Sequence, residues 1–160
     1  MQGISGRQTI SQGEYEAFQQ FLQGACGIVL GAGKEYLVSS RLSSLMRHYA
    51  ISSISDLLNQ LRTDRNPRLR NGIIDAMTTN ETFWFRDLHP WQNFQDKLLP
   101  EWESQLKTSP WRKRIWSAAA SMGQEAYSMS MLIDTYCRSR PGSALQPNIE
   151  IVGTDVSTSP

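Results

Sequence analysis

A chain of 160 residues, of which 39% are hydrophobic and 19% are charged, has the composition of a soluble folded protein and not of a disordered or membrane-embedded one. Sixteen basic residues against fifteen acidic ones leave a formal charge of +1, so the molecule as a whole does not attract nucleic acid. No apolar run approaches the roughly 18 residues of a spanning helix, and the first ten residues lack the features of a secretory signal. We expect a cytoplasmic protein with no membrane insertion and no nucleic-acid partner. Neither Cys26 nor Cys137 has the neighbours of a metal or redox motif, so no metal site is expected.

Residues 1–77 carry the apolar spacing of four amphipathic helices. Ser11 and Glu14 form a capping box at the start of the first helix. After a glycine-bearing turn, the apolar stripe of the second helix leaves Arg41 and Arg47 beside it. The third and fourth helices begin at two further capping positions, Ser53 and Asn66. This part of the sequence therefore predicts an all-α N-terminal domain.

The helical pattern breaks at TTNETFWFRD, residues 78–87, where aromatic and β-branched residues crowd together without a clean period. We interpret this stretch as an ordered connector whose aromatic side chains pack in a core, with stacking on a cofactor as the alternative: Phe83, Trp84 and Phe85. His89 then begins a linking helix that ends before Pro110. Residues 78–110 are thus predicted to be a connector and a linking helix.

Residues 111–160 have the order strand, helix, strand. RIWSAAAS, residues 114–121, predicts a buried parallel strand, a helix follows from about Gln124 to Arg138, and IEIVGTDV, residues 149–156, predicts a second strand. This is the first βαβ unit of an α/β Rossmann-like domain. Since a doubly wound sheet has about five to seven strands, we expect the domain to be truncated. Open strand edges lead us to expect segment swapping or dimerisation of such a fragment.

Small residues after the first strand allow close backbone approach to a ligand beside a helix N-terminus. Asp155 ends the second strand, where an acidic side chain can accept both hydroxyls of a ribose. A cap on the following helix is the alternative role for this aspartate. Because Gly123 stands alone, the G-x-G-x-x-G pattern of NAD and FAD sites is not met. The segment around Lys34 fails as a phosphate loop, since Glu35 replaces the required Ser or Thr.

Three segments together resemble the chemotaxis receptor methyltransferases, the CheR family, in order and spacing. They are TTNETFWFRD at 78–87, RIWSAAASMGQEAYSMSM at 114–131 and GTDVS at 153–157. The helical part resembles that family's N-terminal domain. The resemblance implies an all-α domain followed by the start of a methyltransferase domain that binds S-adenosylmethionine. It also implies transfer of a methyl group to glutamate side chains on the cytoplasmic domain of methyl-accepting chemoreceptors, with S-adenosylhomocysteine as product.

By position, the resemblance implies six cofactor-binding residues: Asn80, Thr82, Arg86, Ala119, Glu125 and Asp155. Arg86 is also the catalytic candidate, since a guanidinium can hold the methionine carboxylate by a bidentate pair. Glu125 resembles the acid that meets the cofactor's amino group, and Asp155 the acid that binds ribose. The family often has Glu and Pro at the positions of Gln124 and Ala126. The alternatives are a surface Arg86 paired with a neighbouring acid and a Glu125 that only stabilises a helix N-terminus.

Arg41 and Arg47 match basic residues that in the family face the acidic receptor surface, and the alternative is a solvated basic face. Two other functions stay open at this stage. The first alternative is a non-catalytic fragment that binds a receptor or regulator. The second and weaker alternative is a methyltransferase for a small molecule or nucleic acid, and the near-zero net charge argues against a nucleic-acid substrate. We expect the full-length protein to be the enzyme and the 160-residue chain itself to be inactive or nearly so.

Overall fold

The computed structural model describes residues 10–63, 66–108 and 112–159. The chain forms two compact units. The first, the helical unit, comprises residues up to Thr79 together with Val156–Ser159. The second, the sheet unit, comprises Asn80–Asp155.

Four helices build the helical unit: α1 (Gln12–Cys26), α2 (Glu35–His48), α3 (Ile54–Arg62) and α4 (Pro67–Met77). Their starts follow from local chemistry. The Ser11 hydroxyl accepts from the Glu14 backbone and the Glu14 carboxylate accepts from the Ser11 backbone, which is the predicted capping box. The side chains of Ser53 and Asn66 cap α3 and α4 by accepting from the Asp56 and Leu69 backbone N–H groups, without the reciprocal bond of a capping box. The all-α prediction for this part of the chain is confirmed.

The core of the helical unit is apolar and contains side chains from all four helices. Its fully buried members are Tyr15, Phe18, Leu22, Val38, Leu42, Leu57, Leu69 and Ile73. Helices α2 and α4 approach closely at Gly72, where an added Cβ would lie 2.9 Å from Leu45 Cδ1. A Cβ at this crossing would require the end of the Leu45 side chain to shift, because packed interiors leave little free space.

The sheet unit contains the predicted βαβ arrangement. Its elements are α5 (Leu88–Asn93), a π-helical turn (Phe94–Leu98), α6 (Leu99–Thr108), β1 (Lys113–Ala118), α7 (Gln124–Arg138), a 3₁₀ turn (Gln146–Asn148) and β2 (Ile149–Thr154). The two strands are parallel, with Lys113 opposite Ile149 and Ala118 opposite Thr154. An all-α domain followed by the start of an α/β domain is thus confirmed. The first strand ends three residues before the predicted Ser121, because Ala119 and Ser121 take positive φ and turn the chain away.

The linking helix is interrupted by the π-helical turn, which was not predicted from the sequence. Phe94 and Leu99 are both buried although they lie five positions apart, whereas Leu98 is 39% exposed. A regular α-helix would place positions 94 and 98 on the same face. The wider turn instead brings Phe94 and Leu99 to one face, where they join Leu106, Ile133, Tyr136 and Leu145 in the core of the sheet unit.

Two burial predictions are wrong for the residues that the structure describes. Phe83, Trp84 and Phe85 do not pack in a core, since 56%, 55% and 37% of their surfaces are exposed. β1 is not buried on both faces: Ser117 is its buried residue, whereas Trp116 is 68% exposed. The physical reason is that the apolar cluster with α6 and α7 takes up alternate strand residues such as Ile115, so the opposite face of the sheet stays accessible.

Within residues 10–63, 66–108 and 112–159, none of the helices is both long enough and apolar enough to cross a membrane.

Candidate cofactor-binding site

The loop after β1 has a strained and compact backbone. Ala119 has φ 58° and Ser121 has φ 50°, values that cost L-residues free energy, and Gly123 has φ 92° at the start of α7. The Ala120 N–H donates to the Thr154 carbonyl at 3.0 Å, and the Gly123 N–H donates to the Ala120 carbonyl at 2.8 Å. The loop is therefore folded against the end of β2, and its conformation is held by backbone hydrogen bonds.

Asp155 lies beside this loop. The Ser121 backbone N–H donates to Asp155 Oδ2 at 2.7 Å, so the carboxylate at the end of β2 is fixed to the turn that follows β1. Charge-assisted hydrogen bonds of this kind are stronger than neutral ones and orient the acid. Ala119 and Asp155, predicted from separate motifs, are brought to the same edge of the sheet.

Gly153 permits this close approach. A Cβ at that position would lie 3.1 Å from the Cβ of Ala120, which is tighter than ordinary packing. Gly153 was not among the residues predicted for the site. The signal was a glycine in a strand interior, which often marks close approach of another backbone segment.

Glu125 occupies the first turn of α7. The hydroxyl of Ser117, a fully buried residue, donates to Glu125 Oε1 at 2.8 Å. The contact holds the carboxylate at the carboxyl end of β1 while the residue itself stays exposed to solvent. A helix N-terminus also favours an acid, and that structural role is compatible with ligand binding.

The connector is attached to the same loop and helix at two points. The Ser121 hydroxyl donates to the Asn80 carbonyl at 2.8 Å, and the Phe85 N–H donates to the Ser128 hydroxyl at 3.1 Å. The Ser128 side chain is fully buried and donates onward to the Gln124 carbonyl at 2.6 Å. Thr82 lies between these two attachments. Ser128 was missed by the sequence reading, and its only signal was a small polar residue on the apolar side of a helix.

Arg86 follows directly after the second attachment. Its carbonyl accepts from Trp91 Nε1 at 2.7 Å. The guanidinium Nε lies 3.9 Å from Asp87 Oδ2, and the two side chains are 62% and 82% exposed. This is the surface pairing with a neighbouring acid that was the predicted alternative for Arg86. Because both side chains are exposed and the distance between Nε and Oδ2 is long, this ion pair contributes little free energy and can open at low cost.

A model described as the all-alpha domain of the CheR methyltransferases matches residues 13–78, and a model described as their SAM binding domain matches residues 80–160. The chain belongs to the CheR methyltransferase family. The resemblance seen in the three sequence segments is thus confirmed.

Relatives agree with this assignment. The chain is 51% identical over 151 residues to chemotaxis protein methyltransferase 1 of Vibrio cholerae, which covers 94% of the chain and 53% of the relative. It is 46% identical to chemotaxis protein methyltransferase 1 of Pseudomonas aeruginosa, over 91% of the chain and 52% of the relative. Identity falls to 28% with the chemotaxis protein methyltransferase of Borreliella burgdorferi. The chain spans about half the length of the curated relatives it matches.

Within this CheR chain, five of the six predicted cofactor residues fall into two groups, and the sixth, Thr82, lies in the connector between its two attachments. Backbone or side-chain hydrogen bonds tie Asn80, Glu125 and Asp155 to the β1–α7 region, and Ala119 is part of its loop. The guanidinium of Arg86 instead contacts its neighbour in the chain. At the departure from the family pattern, Gln124, the side-chain Oε1 is buried and has no hydrogen-bond partner among the described residues. Among those residues no group of His, Cys, Asp and Glu side chains could hold a metal ion.

The two arginines of α2 differ sharply in their surroundings. The Arg41 guanidinium donates to the carbonyls of Met77 and Thr78, at 2.7 and 3.1 Å, and to Thr79 Oγ1 at 2.9 Å. It thereby satisfies carbonyls at the end of α4, which a helix leaves without intrahelical partners. Arg47 is exposed, and its guanidinium makes no hydrogen bond or ion pair with the part of the chain that the structure describes, although its backbone carbonyl accepts from the Ala50 N–H at 3.2 Å. A receptor contact stays a prediction for both, but Arg41 already has a structural use.

Proposed function

We propose that the protein from which this chain comes transfers a methyl group from S-adenosylmethionine to glutamate side chains of chemoreceptors. The observation that carries the proposal is the convergence of the β1–α7 loop, Asp155 and Asn80 through the backbone and hydroxyl of Ser121. Family membership gives methyl transfer as the reaction class. The glutamate substrate and the receptor partner rest on the resemblance described above.

The chemistry of these side chains fits the groups of the cofactor. We assign Asp155 to the ribose hydroxyls, because a carboxylate at the end of β2 accepts two hydroxyl donors. Glu125 and the backbone of Ala119 are assigned to the positively charged amino group. Asn80, Thr82 and Arg86 are assigned to the methionine end, where Arg86 would form a bidentate pair with the carboxylate. That pairing requires the guanidinium to leave Asp87.

The proposed reaction does not require a general base from the chain. Bound S-adenosylmethionine supplies an electrophilic methyl group. A substrate glutamate, with an ordinary pKa of about 4.3, is ionised at neutral pH and is already nucleophilic. The side chains of this site therefore contribute binding, orientation and exclusion of water. The exposed surfaces of Trp84 and Tyr127, whose rings lie 6.3 Å apart, are apolar area suited to the last of these tasks.

On the receptor side, Arg47 is the better candidate of the two α2 arginines. Its charge is exposed on the helical unit and is not engaged by another described residue. An exposed cation attracts an acidic protein surface and increases the association rate at low salt. Arg41 can add to the same field, although its guanidinium is held by the end of α4.

Calorimetric titration with S-adenosylhomocysteine tests the proposal. We expect binding by the chain, its loss in Arg86→Ala and its weakening in Asp155→Asn. Arg138→Ala is the matched control, because Arg138 pairs with Asp134 at the other end of α7 and has the same charge. Methyl transfer by the 160-residue chain to a receptor fragment is expected to be absent or very slow. A folded chain that binds a receptor fragment but not the product would instead favour the non-catalytic binding function.

A further inference from the structure

Asp75, in the last turn of α4, binds the segment that follows β2. Its Oδ1 accepts from the Ser157 hydroxyl at 2.9 Å and from the Thr158 N–H at 2.7 Å, and its Oδ2 accepts from Thr158 Oγ1 at 2.9 Å. All of these residues belong to the helical unit. One carboxylate thus holds two consecutive residues by three hydrogen bonds, which fixes both the position and the direction of that short segment.

The position of Asp75 is not explained by α4 itself, because the C-terminal end of a helix disfavours negative charge. Burial also raises the pKa of Asp75, but the hydrogen bonds from Thr158 and Ser157 outweigh it and keep the pKa below the ordinary value. The carboxylate is therefore ionised at neutral pH in spite of its location. Its role lies in the bonds to the 157–158 segment and not in stabilising α4.

The segment begins immediately after a residue of the proposed site. Ser157 follows Asp155 by two positions, and two residues span at most about 7 Å of chain. The carboxylate of Asp155 is itself fixed by the Ser121 N–H. The backbone that follows Asp155 therefore leads within two residues into the segment that Asp75 holds.

We propose that Asp75 is a positioning residue for cofactor binding: by holding Ser157 and Thr158, it sets the backbone from which Asp155 meets the ribose. The proposal rests on the assignment of Asp155 under the proposed function. Asp75 acts through the 157–158 segment and does not touch the cofactor. Under this proposal, an acid of the helical unit contributes to the affinity of the proposed site for the cofactor.

The test compares binding and local backbone protection in the full-length protein. S-adenosylhomocysteine dissociation constants are measured for the unaltered protein, Asp75→Ala, Asp155→Asn and the double variant, together with amide hydrogen exchange over residues 156–159. Glu14→Gln is the matched control, because Glu14 is another hydrogen-bonded acid of the helical unit but contacts Ser11 and Ser55. It reports the effect of weakening this unit without releasing the segment.

We expect Asp75→Ala to weaken binding roughly ten- to a hundredfold, as loss of charged hydrogen bonds that position a ligand group would do. Exchange over 156–159 should become faster. The double variant should lose little more than Asp155→Asn alone, because both changes act on the same contact. Faster exchange with an unchanged dissociation constant would overturn the proposal and leave Asp75 a structural residue. Additive losses, or an equal loss in Glu14→Gln, would also overturn it. An unaltered protein that does not bind the product would refute the proposed function, and the positioning role would fall with it.

Discussion

Replacing Arg41 by alanine is expected to destabilise the helical unit, because this side chain closes the end of α4. The change removes three hydrogen bonds, to the carbonyls of Met77 and Thr78 and to Thr79 Oγ1. Net contributions are about 1 kcal/mol for each such bond, and the partial exposure of Arg41 reduces them. The expected loss is therefore about 2–3 kcal/mol, with a decrease in Tm of roughly 5–10 °C.

The assay is urea unfolding of the chain followed by far-UV circular dichroism, and Arg47→Ala is the control. That variant loses the same charge from the same helix but no hydrogen bond to the described residues, so its stability should change by less than about 0.5 kcal/mol. Arg41→Lys should fall between the two, because an ammonium keeps the charge near the helix end but not the guanidinium fork.

Binding of a receptor fragment also distinguishes the two arginines of α2. The Arg47→Ala variant should bind a receptor fragment more weakly than the unaltered chain does, and the difference should shrink as the salt concentration rises. Its stability should stay unchanged. If Arg41→Ala proves as stable as Arg47→Ala, the reasoning from the end of α4 is refuted. Arg41 would then be a surface cation available to the receptor.

Three further changes test other contacts. The pKa of Glu14 is lowered from 4.5 to about 2, mainly by the hydrogen bond from the Ser55 hydroxyl. The stabilisation of the fold by ionised Glu14 is complete above pH 4.5 and is lost as the pH falls towards 2. Ser55→Ala should therefore be less stable than the parent at pH 7, and the difference should shrink over that acid range in urea unfolding curves. Ser128→Ala removes the acceptor of the Phe85 N–H and should cost about 1–3 kcal/mol; unchanged amide exchange at Phe85 would contradict this. Gly153→Ala adds a Cβ 3.1 Å from a loop alanine and should cost about 1–3 kcal/mol by overpacking. Chemical denaturation measures that cost, and a stability equal to the parent would show that the loop adapts.

Local chemistry explains which parts of the fold were predictable. The capping box of Ser11 and Glu14 and the Asn66 cap lie next to the helices they begin, so short-range rules located them. The helix over Gln124–Arg138 was predicted with its observed bounds. The π-helical turn was not predictable in this way. Phe94, Leu98 and Leu99 are all apolar, and only packing decides which of them faces the core.

The candidate site was predictable in its residue types but not in its connections. Asp155 and the small residues after β1 follow from general rules for α/β sheets. The positive φ values of Ala119 and Ser121 could not be read from the sequence, because alanine and serine ordinarily avoid that region. Ser128 and Asp75 were missed for a different reason: their partners lie 43 and more than 80 positions away in the chain.

The helical unit is discontinuous in sequence, and this affects the order in which it can be completed during synthesis. Helices α1 to α4 can form as soon as they emerge, because domains generally fold from the N-terminus. The bond from Thr158 to Asp75 spans 83 positions, so it closes only after both strands and α7 have been made. Until then the Asp75 carboxylate stays in water at the unfavourable end of α4. The last hydrogen bonds of the all-α unit therefore form only on a chain that has already extended past β2.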